Sequence, residues 1–284
     1  MSPTQDQTGG RRAAPTQLFD EQAQVVLQAR AKKRQARTLP FLLDRALDDL
    51  SERLQDVNRT FERACLIGPF DWRALIQDRL PDNKRINHFE HRLEPGGQAA
   101  CDLVISLLHI QSLNGVGGWM QAARAMLKPD GLFLACLIGG NSLSELRQSL
   151  YAIDTDRTGS PRPRIHPMIE VRAAAQLLGH AGLAIPVTDS DRFMVHYRDI
   201  RTLAGDIRDL GLGNALTDRI RQPAPALLRD IEDRLRPGAD LPMPISWEIV
   251  WMTGWAPHES QQKPLKPGSA KMGLNAALKA IRDQ

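Results

Sequence analysis

The run Asp102–Ile110 (DLVISLLHI) constrains the chain most: almost every position is apolar, with no alternation of apolar and polar residues. A strand that is apolar throughout must be covered on both faces, which is the situation of a central strand in a parallel sheet. Similar runs recur on either side, at Ala64–Gly68 and at LFLACLIGG after the tight turn Lys128-Pro129-Asp130-Gly131. Helical patterns separate them, near Trp72–Leu80 and Gly118–Met126. Strands alternating with helices predict an α/β fold with a right-handed, doubly wound, mostly parallel sheet.

The ends of the strands say more than the strands do. Open α/β sheets seat ligands at the carboxyl ends of their strands, and a nucleotide-binding first strand opens onto a glycine-rich turn whose bare backbone can approach the ligand. Here Gly68 is followed by Pro69, which has no N–H, and then by Phe70, Asp71 and Trp72. At the end of the central strand stand Ser106, His109 and Gln111. His109 is the one candidate catalytic group, a base or a substrate-orienting ring, with a hydrogen-bonded structural histidine as the alternative.

Two helices precede the first strand. In LFDEQAQVVLQARAKKRQAR, Leu18, Gln22, Val25, Val26 and Ala29 fall near one face, and in the next helix, near Leu42–Asn58, Leu43, Leu47, Leu50 and Leu54 recur at spacings of three and four. Arg30, Lys32, Lys33, Arg34 and Arg37 form a basic segment that could be the solvated side of its helix or a contact for nucleic acid or an acidic protein face. Without interleaved aromatics, nucleic acid ranks last.

Beyond Gly140, Ser142 with Glu145 three residues on reads as a capping box opening a helix. Residues 154–167 read as a long surface loop, in which Arg162 and Arg164 flank Pro163; they could clamp a carboxylate or phosphate, or be an ordinary basic loop. Helices near 200–210 and 226–235 are expected to cap the sheet, and the final strand, Ile245–Trp255, places Trp247, Trp251 and Trp255 on one face.

The segments GGNSLSELR (from Gly139), His166-Pro167, Leu178-Gly179-His180-Ala181-Gly182 and GWAPHESQ (from Gly254), together with Leu18-Phe19-Asp20 and the KPDG turn, carry a resemblance. Over roughly residues 18–270 the chain resembles class I S-adenosylmethionine (SAM) methyltransferases. Within them it is similar to the malonyl-carrier-protein methyltransferases of biotin synthesis and, more closely, to methyltransferase-like mitochondrial complex I assembly factors of the arginine-hydroxylase type. The resemblance implies a Rossmann-like fold and SAM as cofactor, with Gly68, Asp71, Glu90, Ser106 and Gln111 as the positions to hold it and Arg162, Arg164 and His166 facing a substrate or partner. Family members carry a multi-glycine turn where this chain has Gly68-Pro69-Phe70, and an acid after the second strand for which Glu90 is the available match. Between Leu80 and Cys101 there is too little chain for a full βα unit and its strand, so the domain is expected to lack about one βα unit.

The expected organisation is a disordered tail over 1–17, helices over 18–58, a methyltransferase-like domain over 59–270 with a helical cap at about 200–240, and a tail over 271–284. No apolar stretch approaches the ~18 residues of a membrane helix. The polar start of the chain is no secretory signal, and the odd count of 3 cysteines, Cys65, Cys101 and Cys136, in apolar runs suits a reducing compartment, the cytoplasm. His88 and His91 would point to opposite faces of a strand, so no metal site is expected. Two readings of function follow: a protein-binding assembly or maturation factor with a degraded SAM site, or an active SAM-dependent methyltransferase acting on a carboxylate or a protein side chain.

Overall fold

The computed structural model describes residues 17–219, 225–238 and 241–262. The expected tails fall outside the described residues, apart from residue 17. In chain order the elements are α1 (Glu21–Gln35), α2 (Phe41–Asp56), β1 (Arg63–Ile67), α3 (Arg73–Arg79), β2 (His88–Arg92), β3 (Cys101–Leu107), α4 (Val116–Ala125), β4 (Leu127–Ile138), α5 (Ser144–Thr158), α6 (Val171–His180), β5 (Ala184–Tyr197), α7 (Ile200–Asp209), α8 (Pro225–Leu235) and β6 (Met243–Trp255).

The strands form one six-stranded sheet in the order β2-β1-β3-β4-β6-β5. The first four are parallel neighbours, and β6 runs antiparallel between β4 and β5. This is the expected mixed, mostly parallel α/β sheet. On one face lie Leu43, Leu47, Leu50 and Leu54 of α2, Ile76 of α3, and residues of α5, α7 and α8, packed on Leu66, Ile105, Leu134, Trp247 and Trp251. On the other, Trp119, Met120 and Ala123 of α4 and Ala174 and Leu178 of α6 cover Cys65, Ile67, Val104, Phe133 and Val250. All three cysteines are buried free thiols, and burial pushes those of Cys65 and Cys136 up to about 12.

Residues 93–100 carry the chain from β2 across to β3 without a helix, where a parallel crossover ordinarily takes a dozen residues or more. That connection is the shortened region expected from the sequence. Arginines of α2 and the loop after it fasten the opposite end of the sheet: Arg45 lies 4.4 Å over the Phe193 ring, Arg53 4.6 Å over Trp251 and Arg59 5.0 Å over Trp255. Arg53 also forks Asp189 at 2.6 and 2.8 Å.

Four expectations are corrected. β3 stops at Leu107 because Leu108 turns to φ +49°, so His109 lies beyond the strand. Residues 154–158 are helical, since α5 runs on to Thr158 and ends at Gly159 in the left-handed region (φ +76°). The capping box does not form. Leu143, not Ser142, is the N-cap of α5; the Glu145 carboxylate accepts from Ser246 N and Oγ (2.9 and 2.6 Å), and Ser142 Oγ accepts from Glu248 N at 2.9 Å. The segment spends its polar groups clamping β6. Finally, the Val25–Val26–Ala29 face of α1 points outward, while Gln24, Gln28 and Ala31 face the body of the protein.

Candidate functional site

The carboxyl ends of β1 and β3 meet where open α/β sheets place ligands. Gly68 sits there at φ +151°, and a Cβ on it would lie 3.7 Å from the His109 ring. Its N–H is spent on the Arg92 carbonyl at 3.0 Å, and its carbonyl accepts from His91 Nε2 at 2.9 Å. The next residue, Pro69, has no N–H to offer. Phe70 stacks on Trp72 with ring centroids 5.0 Å apart, and both are buried.

Above this edge the chain fills its own cleft. Phe19 comes in from the segment before α1, Leu108 and His109 from the turn after β3, His166 from the loop before α6, and residues 210–215 from the end of α7. Phe19 stands edge-on to His166, centroids 5.2 Å apart. It is fixed there because its own N–H donates to Asn114 Oδ1 at 2.8 Å and its carbonyl accepts from Asn114 Nδ2 at 3.0 Å. What remains is a cavity of about 20 Å3, room for about one water.

Of the residues singled out in the sequence, Gly68, Ser106, His109 and Gln111 come together. Ser106 is fully buried, and Gln111 donates from Nε2 to the Leu108 carbonyl at 2.8 Å. Ser106 Oγ, His109 Nε2, Gln111 Oε1 and Trp119 Nε1 are buried without a partner among the described residues. Trp119, which sequence reasoning missed, stands edge-on to His109, centroids 6.1 Å apart. Only its place on the inward face of α4 reveals it.

His166 lines the same cleft; the remaining positions do not join them. Asp71 is forked by Arg73 at 2.8 Å on both oxygens, which pulls its carboxyl down to about 2. Glu90 pairs in register with Cys65, in the middle of β1, and its carboxylate accepts from Arg92 at 3.0 Å. It lines a separate recess of about 330 Å3 with Arg63, His88, Cys101 and Met126, toward the amino ends of the strands. Arg164 cannot clamp a ligand together with Arg162, because its guanidinium fork is filled by Asp154 at 2.7 and 2.8 Å; Arg162 is exposed. Among the described residues no group of three or more His, Cys, Asp or Glu is placed to hold a metal ion.

Burial holds His109 neutral, its pKa pushed down to about 4 from 6.5. The unfolded chain takes up a proton below pH 6.5 that the folded chain refuses until about 4, so stability falls as pH drops through that window. His166 is shifted in the same direction by burial. In urea denaturation at pH 7 and pH 5, His109→Gln should lose less stability between the two than the parent does; an unchanged slope would mean His109 is solvated.

No family model matches the chain. Curated relatives do. The protein of Danio rerio named arginine-hydroxylase NDUFAF5, mitochondrial, is 33% identical over 183 residues, 63% of this chain and 57% of that protein. Its namesake in Dictyostelium discoideum is 30% identical over 198 residues, 67% of this chain and 45% of that protein. The malonyl-[acyl-carrier protein] O-methyltransferase of Xylella fastidiosa is 27% identical over 267 residues, 87% of each. The chain resembles the class I methyltransferase superfamily. It spans about half the length of the arginine-hydroxylase relatives it matches. Among the described residues, no helix is long and apolar enough to cross a membrane.

Proposed function

We propose that this methyltransferase-like chain works by binding a protein partner, as an assembly or maturation factor, and has lost efficient use of SAM. The observation that carries this is room. Ligand pockets measure about 300–1,000 Å3, against the cavity of about 20 Å3 left among the described residues between Phe19, Phe70, His109 and His166. Chemistry points the same way. SAM asks for free backbone donors after β1, and Gly68 N–H is committed to the sheet. It asks for an acid at the carboxyl end of the second strand, and Glu90, the match the sequence suggests, sits in mid-strand, paired with Arg92. Gly68, Pro69 and Glu90 thus do not offer the contacts that SAM asks for. In the same reading, the buried thiols suit a reducing compartment, the cytoplasm.

Active methyl transfer to a carboxylate or a protein side chain is the competing reading, favoured by the match to the Xylella methyltransferase over 87% of each chain. Titration calorimetry with SAM and with its demethylated product separates the two. No heat of binding is expected with either; micromolar affinity for SAM would overturn the proposal.

A further inference from the structure

α1 lies across the filled cleft, with glutamines turned inward beside Ala23, Leu27 and Ala31. Gln24 Nε2 donates to the Ser112 carbonyl, Gln35 Nε2 to the Asp209 carbonyl at 2.7 Å, and Gln35 Oε1 accepts from Trp72 Nε1 at 3.2 Å. Ala31 is buried against the close approach of Gly211. The opposite face carries Gln22, Val25, Val26, Ala29 and Lys33, which the helical repeat gathers into one arc. Val25 is 63% and Val26 48% exposed. A surface helix ordinarily buries its apolar stripe and shows its polar one; α1 buries Ala31 and half-buries Ala23 and Leu27, yet leaves this second apolar arc open.

Charge accompanies the exposed stripe. Arg30, Lys32, Lys33 and Arg37 are exposed beside and beyond it, and none takes part in an ion pair among the described residues, whereas Arg34 is held by Asp209. We propose that this outward face of α1 is a docking surface for an acidic amphipathic segment of a partner protein, its apolar residues on Val25, Val26 and Ala29 and its carboxylates toward the four cations. The inference rests on the protein-binding reading above and names the site and the chemistry of the partner.

Other occupants fit less well. A second copy of the chain would bring like charges together at the same face. A membrane-surface helix presents Trp, Phe or Leu to the lipid, and this stripe has valine and alanine. Single-stranded nucleic acid wants stacking aromatics among the cations, and the face has none.

The probe is a fluorescently labelled synthetic amphipathic helix with leucines on one face and glutamates flanking them, read by anisotropy against the full chain beside a twin carrying lysines for the glutamates. The acidic peptide should bind about ten-fold tighter than the twin and weaken with added salt. Val26→Asp should cost about ten-fold in that affinity with an unchanged melting temperature, and Lys32→Glu with Lys33→Glu should reverse the preference between the peptides. Equal binding of both peptides would overturn the proposal. So would binding to phosphatidylserine vesicles without binding of the peptide, or self-association that Val26→Asp abolishes. A Val26→Cys variant must also react readily with maleimide, since the native thiols are buried; slow labelling means the face is already covered by the chain itself. If SAM binds in calorimetry while the peptide preference holds, the earlier reading fails and the docking surface stands; if calorimetry is silent and the preference is absent, only the docking surface fails.

Discussion

Gly139→Ala is expected to cost about 3 kcal/mol of folding stability or more, with chemical denaturation as the measure, because overpacking a core costs about 1–3 kcal/mol and disturbing a buried charge costs further. A methyl group at this position would run into the Glu248 carboxylate, lying 2.8 Å from its Cδ and 2.7 Å from Val250 Cγ2. Glu248 has nowhere to go. It is fully buried, and its oxygens accept from Asn141 N at 3.0 Å, from Asn141 Nδ2 at 3.0 and 3.1 Å and from Arg192 Nε at 2.7 Å. The backbones are joined as well, Gly139 N donating to the Glu248 carbonyl at 2.8 Å. Either the carboxylate leaves its donors or β4 and β6 move apart. A double-mutant cycle isolates the cause: in a Glu248→Ala background the same substitution should cost at least about 1 kcal/mol less. An equal cost in both backgrounds would mean that the carboxylate is not the obstacle.

That pocket explains why GGNSLSE was legible as a signature and misread as a mechanism. Spacing along a chain reveals local hydrogen-bond partners, and Ser142 with Glu145 satisfies the spacing of a capping box. The partners that captured them, Ser246 and Glu248, lie on β6, far along the chain. The central strands were readable because a strand covered on both faces must be apolar throughout, and Val104, Ile105, Phe133 and Leu134 are almost fully buried. The direction of α1 was not readable. Apolar periodicity says which residues share a face, but the surface beneath α1 mixes helix-end carbonyls, Ser112 O and Asp209 O, with Ala215 and Leu216, so glutamines turn inward beside Ala23 and Leu27. At the candidate site, Gly68, Ser106, His109 and Gln111 were found from their place at strand ends. Phe19 was missed as the residue that fills the cleft, since nothing near it in sequence shows what it will meet.

Removing Asp154 should be comparably damaging to disturbing Gly139, and its effect should depend on pH. Asp154 is 2% exposed, and both its oxygens are taken by Arg164, whose side chain is only 16% exposed. Asp154→Ala leaves a buried guanidinium without its counter-charge, which costs about 3–5 kcal/mol. The Arg164 guanidinium holds the Asp154 carboxyl below its usual 3.8. The contribution is therefore complete above about pH 4 and is lost as pH falls through the depressed folded-state value, because the unfolded chain takes up the proton first. Denaturation curves for parent and Asp154→Ala should differ most at pH 7 and converge in acid; a gap that stays constant would mean the pair is solvated. Asp154 lies in the last turns of α5, and Arg164 leads to His166, which packs against Phe19 in the cleft. Losing the pair should thus free the loop that closes the cavity, read as faster amide exchange at residues 164–166 at pH 7. Should that loosened variant gain measurable affinity for SAM, the cofactor is kept out by the fill of side chains rather than by the missing backbone donors; continued silence in calorimetry assigns the block to Gly68 and Pro69.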